Sequence, residues 1–361
     1  MLEHLHALCL GKRKDQKASS VMHSALDSWF TKEKRSFPWR NNPTPYMVLV
    51  SEIMLQQTQV RRVLLYFSQW MNLFPSLEAL AESSEEAVIK AWEGLGYYSR
   101  ARALHKAAKT IVAQHHGHIP KTKEELLLIP GIGPYTAGAI LSFAFHKRAL
   151  AIDSNVERVM RRLYQISFSD KNARSLIETH VESLLPHKKA WHTMEALIEL
   201  GALVCQKKPA CRFCPISSFC ASYKNGSIED PPPKNKPTQL FRDVACIICQ
   251  DEILVVHRTG KQIMSGLYEF PFFDSTKEGR SRKTFLHHLE THTPAPLTFQ
   301  EKLPATTHSF TRFRSFLYPW IILSQQKFAW PDGKWIPLDD LCLLPFSSGH
   351  KKITTMLNNY L

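Results

Sequence analysis

"LLLIPGIGPYTAGAIL", residues 126–141, sets the architecture of the first half of the chain. Aliphatic residues at helical spacing stand on both sides of a break at Pro130-Gly131-Ile132-Gly133. Two glycines one residue apart let the backbone turn tightly and leave bare N–H groups beside a helix start, where a phosphate binds well. The stretch therefore reads as two helices joined by a hairpin, with Gly131 and Gly133 at a phosphate backbone.

Upstream, "LVSEIMLQQTQV", 49–60, holds a single acid among aliphatic residues. On a helix, residues three and four apart share a face. Val48, Leu49 and Leu55 then flank Glu52 on the apolar stripe, which predicts burial and a raised pKa. Downstream, "AIDSNVERVMRRLYQ" opens a helix with Val156, Val159, Met160 and Leu163 on one stripe and Asp153 just before it. Asp153 suits an N-cap. Held there it is expected to keep a low pKa and stay ionised. Two carboxyl groups pushed apart in pKa are what cleavage of a glycosidic bond calls for.

"CQKKPACRFCPISSFC" brings Cys205, Cys211, Cys214 and Cys220 within sixteen residues, with Pro209 and Pro215 favouring a turn-rich wrap. Four thiolates this close hold either zinc or an iron–sulfur cluster. Cys246 and Cys249 lie in a strand-like run, where residues three apart point to opposite faces, so they read as core residues.

The text is helical from Ser24 to about Ser222. "KNGSIEDPPPKNKPTQ" then reads as a linker, and "DVACIICQDEILVVHR" and "SFLYPWIILS" as strands around a helix in "SRKTFLHHLETH". The expected domains are an extension over 1–21, an all-α domain over 22–223, a linker over 224–240 and an α+β domain over 241–361.

The 361 residues carry 46 Lys and Arg against 32 Asp and Glu, a formal charge of +14 spread along the chain, which suggests a polyanionic partner. The excess shows as Arg61–Arg62, Arg100 and Arg102, Lys147–Arg148, Arg161–Arg162, Lys188–Lys189 and Lys207–Lys208. No stretch approaches the ~20 apolar residues of a membrane span. The start makes a poor signal peptide, and eight cysteines without one point to metal ligands or buried thiols. A bacterial cytosolic, nucleoid-associated protein is expected.

"FPWR", "SEIMLQQTQV", "GLGYYSRAR", "PGIGPYTAGA", "DSNVERV", "EALIELGALVC" and the four-cysteine loop, in this order, resemble the MutY family of adenine DNA glycosylases. The resemblance runs from about Ser24 to Cys220 and more thinly beyond. It implies a multi-domain chain: an all-α helix-hairpin-helix glycosylase domain with a four-cysteine cluster loop, plus an α+β Nudix-like C-terminal domain. It implies one [4Fe–4S] cluster on Cys205, Cys211, Cys214 and Cys220, with zinc as the alternative. The implied substrate is double-stranded DNA with adenine opposite 8-oxoguanine or guanine, bound by a monomer; replication or repair proteins are possible further partners.

Residue by residue, Glu52 matches the acid that protonates adenine N7, and Asp153, with Asn155 beside it, the carboxylate that stabilises the sugar cation. Tyr135 matches an active-site tyrosine; the related endonuclease III type has a lysine there, whose amine forms a Schiff base that a phenol cannot form. Arg35, Trp39, Arg40, Leu55 and Glu195 fall at adenine-pocket positions. Gln57 and Tyr97 match residues that wedge into the stack as the base flips. "SGLYEFPFF" matches a Nudix motif, but no RExxEE pattern follows it, so recognition without hydrolysis is expected. "THSFTRF" aligns with the lesion-reading loop, with Phe310 as wedge and Thr311 as hydrogen-bonding group. The chain departs from the family at Arg312 (commonly histidine), Ser154 (commonly glycine), Glu157 (lysine in some members) and the Cys-x5-Cys spacing (commonly x6). Two other readings are an endonuclease III-like lyase and a non-catalytic iron–sulfur DNA-binding protein.

Overall fold

The structure, a computed structural model, describes residues 19–229, 236–260, 264–276 and 281–360. Most of the predicted extension and the middle of the predicted linker lie outside the described residues. A helix described over 19–33 (α1) is followed by α2 (Pro45–Leu55), α3 (Val60–Leu73), α4 (Leu77–Glu82), α5 (Glu85–Ala91) and α6 (Ser99–His115). Next come α7 (Lys123–Leu128), α8 (Pro134–Ala139), α9 (Ser154–Tyr164), α10 (Ala173–Leu184), α11 (Ala190–Leu203) and the short α12 (Ala221–Lys224). Strands β1 (Thr238–Cys249), β2 (Glu252–His257), β3 (Tyr268–Glu269) and β4 (Phe272–Ser275) precede α13 (Arg282–His292). Strands β5 (Leu297–Lys302), β6 (Thr306–Phe310), β7 (Phe313–Ser324) and β8 (Gly333–Pro337) precede α14 (Ser348–Tyr360). Among the described residues, no helix is long and apolar enough to cross a membrane.

The chain forms two compact units. One joins the residues up to Ala81 with Lys106–Pro233; the other joins Glu82–His105 with Lys234–Leu361. In the first, Met22, Leu26 and Phe30 of α1 pack with α9, α10 and α11 in one core. The predicted α9 stripe of Val156, Val159, Met160 and Leu163 is buried there. Helix α2 is buried on nearly every side, and its start is fixed by Pro45 and by Thr44, whose hydroxyl accepts from the Met47 amide at 3.2 Å. The hairpin forms as the glycines require: Gly131 turns at φ +86°, and Gly133 and Pro134 open α8. Past Ala139 the helix widens into a π turn over Ile140–Ala144. Helices α11 and α9 approach so closely that a Cβ on Gly201 would meet the Asn155 Cβ at 2.6 Å.

The second unit is built on an eight-stranded mixed sheet with the path β3-β2-β1-β7-β5. The central pair β1 and β7 is parallel, and the other pairings are antiparallel. Val244, Cys246 and Ile248 face a core shared with α14, while Ala245 and Ile247 face one shared with Phe285 and Leu289 of α13. With both faces covered, the second half of β1, Val244–Cys249, reads as an unbroken apolar run. Cys246 and Cys249 are buried strand residues, as predicted. Within the same unit, Lys90 on α5 donates to the carbonyls of Cys342 (2.6 Å) and Leu344 (2.9 Å), and Glu93 accepts from the Phe346 amide (3.0 Å).

Candidate active site

A cavity of about 770 Å3 in the first unit is walled by α2, the Phe37–Arg40 turn, Tyr135 of α8, the start of α9 and α11. Glu52 projects into it from α2 and is only 7% exposed. Burial, with Asp153 and Glu195 nearby, pushes its pKa up to about 7, against the opposing pull of a Tyr135 hydrogen bond and the Arg40 charge. Tyr135 Oη donates to Glu52 Oε2 at 2.5 Å. Burial and the facing carboxyl groups raise the Tyr135 phenol well above its ordinary range, so it remains a neutral donor.

Asp153 lines the same cavity and caps α9. Its Oδ1 accepts from the Asn155 and Val156 amides at 2.9 and 2.8 Å, and its Oδ2 from Asn155 Nδ2 at 2.7 Å. The expected low pKa is not found. Burial raises it, outweighing these three donors and the nearby Arg158 charge. The asymmetry between the two acids survives in another form: Asp153 is held by donors suited to a carboxylate, whereas Glu52 is desolvated with one phenol for company. Asn155 passes the contact on. Its Oδ1 accepts from Arg158 Nη2 at 2.8 Å, and Arg158 Nε donates to the Cys205 carbonyl at 2.8 Å.

Arg35, Trp39, Arg40, Leu55 and Glu195, expected at the pocket, all line the cavity, and so does Gln57, expected as a wedge. Trp39 is buried and stacks on Phe37 at 5.0 Å. Gln57 stands just past the end of α2 at φ +55°, a left-handed position uncommon for a residue with a side chain. Ser154 opens α9 in helical geometry, with no need for glycine there. Glu157 pairs with Arg161 at 2.8 Å. Sequence reading missed Glu199, also on the wall, whose buried side chain binds both Arg35 and Arg40. Its signal was available: like Glu52, it is an acid set among aliphatic residues, in "EALIEL".

Three predicted residues belong to the other unit. Tyr97 is 43% exposed at φ +49°. Phe310 and Phe313 pair across a two-residue turn, placing Thr311 at φ +48° and Arg312 at the tip of the β6–β7 hairpin. A β-branched residue in left-handed backbone is strained.

The four cysteines line one small cavity together with Arg162. Burial, reinforced by the other three cysteines, pushes the Cys214 thiol up to about 11. Arg162 Nη1 lies 3.5 Å from Cys205 Sγ. Four thiols on one cavity fit a group that takes thiolate ligands, and binding it would release their protons. Among the described residues, no His, Cys, Asp and Glu group is gathered as the ligands of a single metal ion.

A family model described as HhH-GPD superfamily base excision DNA repair protein matches residues 50–187, and a NUDIX domain model matches residues 243–356. An adenine DNA glycosylase of Mus musculus is 30% identical over 94% of this chain and 78% of its own length. One of Homo sapiens is 30% identical over 92% and 73%. One of Buchnera aphidicola subsp. Baizongia pistaciae is 38% identical over 58% of this chain and 60% of that protein. Among solved structures, a thermostable thymine-DNA glycosylase superposes with a TM-score of 0.54 at 27% identity, over 58% of this chain and 98% of that one. Endonuclease III in a non-covalent DNA complex shares the fold, with a TM-score of 0.50 at 22% identity over 58% and 97%.

Proposed function

The chain belongs to the adenine DNA glycosylase family of base-excision repair, and from that premise we propose that it hydrolyses adenine from A:8-oxoguanine and A:G pairs by acid-assisted base release. One observation carries this reading: Glu52 and Asp153 face a single cavity, with Tyr135 hydrogen-bonded to the acid.

The steps follow from the two carboxyl environments. A flipped adenine enters the cavity, and Glu52, about half protonated at neutral pH, gives its proton to N7. The C1′–N9 electron pair leaves with the base, so adenine departs neutral. The cationic sugar is stabilised by the Asp153 carboxylate, which closes onto C1′. Water then displaces Asp153 and returns a proton to Glu52, leaving an abasic sugar and restoring both groups. Tyr135 offers no amine, so no Schiff base and little strand cleavage are expected.

The remaining assignments rest on the family and on the site chemistry. Cys205, Cys211, Cys214 and Cys220 would hold a [4Fe–4S] cluster, which organises the loop and takes no part in the steps above. Phe310 and Thr311, at a strained hairpin tip, would read 8-oxoguanine. The glycosylase domain runs over residues 22–223, of which 82–105 pack in one unit with the C-terminal residues, and the lesion-reading domain over 241–361, in a cytosolic monomer. The test is adenine release by the purified protein from A:8-oxoguanine, A:G and A:T duplexes. Release is expected from the first two, with no borohydride-trapped adduct. Trapping, or no release from either mispair, rejects the reading.

A further inference from the structure

Glu199 sits on α11 one turn after Glu195, and its side chain is entirely shielded from solvent. Its Oε1 accepts from the Arg35 amide at 3.2 Å and from Arg35 Nε; its Oε2 accepts from Arg35 Nη2 and Arg40 Nη2, both at 3.1 Å. Four donors occupy the lone pairs of one carboxylate. Arg40 is fixed on its other sides too. Its Nη1 donates to the Arg35 carbonyl at 3.1 Å, its Nε pairs with Glu195 at 3.3 Å, and its plane lies over Phe37 at 4.8 Å. A guanidinium fork so constrained has one orientation.

We infer that Glu199 is a positioning residue: it holds Arg35 and Arg40 in the orientation that grips the flipped base, and through Arg40 it sets the charge felt by Glu52. The inference rests on the adenine-release reading above. Glu52 is faced by Tyr135 from α8, Asp153 from the start of α9, Arg40 from the 3-10 turn and Glu195 from α11. Arg40 is the cation in this set. The two arginines are balanced by Glu195 and Glu199, so neutralising Glu199 leaves one positive charge in excess at the wall. Excess positive charge favours the ionised form of Glu52.

The experiment is the single-turnover rate of adenine release against pH for the parent, E199Q, E199D and E52Q, with thermal melts of each. In E199Q the alkaline limb of the profile moves to lower pH, and the rate on that limb falls at least tenfold. E199D, which keeps the charge on a shorter arm, restores the position of the limb but not the full rate. A folded E199Q with the parental limb overturns the inference. Should E199Q not fold, E199D decides: a folded E199D at least tenfold slower supports positioning, and one at the parental rate overturns it. E52Q separates the two failures. Activity retained there rejects the acid assignment; an inactive E52Q beside a parental E199 series rejects only the role of Glu199.

Discussion

A carboxyl group buried as Glu52 is suits the fold only while it keeps its proton. Its pKa rises from an ordinary 4.5 to about 7, so between these values the folded state binds a proton that the unfolded state has lost. Stability from this group is full below about pH 4.5 and is lost as pH rises through 7, by about 3 kcal/mol in all. E52Q removes the titration and the acid together. Its single-turnover rate should fall at least ~100-fold, while at pH 8 it should be more stable than the parent by up to about 3 kcal/mol. That gain should vanish near pH 4.5. Urea melts at the two pH values check this; an E52Q no more stable at pH 8 would show that Glu52 is solvated. At this scale the sequence was informative where one residue type contradicted its neighbours. Glu52 stood out among aliphatic residues, and Glu199 carried the same mark without being singled out. The pKa direction of Asp153 could not be read, because capping lowers it and burial raises it. The extent of burial depends on α2, α8 and α11, which meet only in the fold.

Helices announce themselves through spacing and caps, and the elements that build the cavity were legible for that reason. The α9 stripe, the hairpin and the strand character of 243–258 follow from local pattern, though the pairing of β1 with β2 within that run was not read. The short strands β5, β6 and β8 and helix α14 went unread: polar edge strands of five or six residues carry too few periods to show alternation. The compact unit that residues 82–105 share with the C-terminal sheet was equally invisible, since it depends on Lys90 and Glu93 meeting the backbone at 342–346. The hairpin permits a test at this scale. At Gly133 φ is −92°, and an added Cβ meets nothing within 4 Å, so alanine fits the free protein. It would, however, cover the amides at the start of α8 that a phosphate must reach. G133A should melt within a few degrees of the parent yet bind duplex DNA several-fold more weakly. Unchanged affinity in a titration of fluorescent duplex would show that no phosphate approaches there.

Across the whole molecule, a charge of +14 overstates the surface available to a polyanion. Arg100 and Arg162 are buried and spend their donors on backbone carbonyls: Leu95 and Gly96 for the first, Gln206 and Lys207 for the second. Arg161 is scarcely more open, its side chain 11% exposed and bound to Glu157 and the Ser167 carbonyl, so both members of the Arg161–Arg162 pair serve the fold, which composition cannot show. Lys207 and Lys208 are exposed, on the stretch between Cys205 and Cys211. Arg162 holds this stretch by backbone carbonyls rather than lysine side chains, so K207A/K208A should leave the loop's wrap intact. If the loop faces DNA, each lysine neutralises a phosphate and releases about one counterion. The double variant should then flatten the slope of log affinity against log salt by up to about two units, equally for A:8-oxoguanine and A:T duplexes. Its adenine-release rate at saturating enzyme should match the parent, since neither lysine lines the cavity. An unaltered slope would turn this loop away from the duplex, leaving the binding charge to exposed residues elsewhere, such as Arg61 and Arg62 at the start of α3.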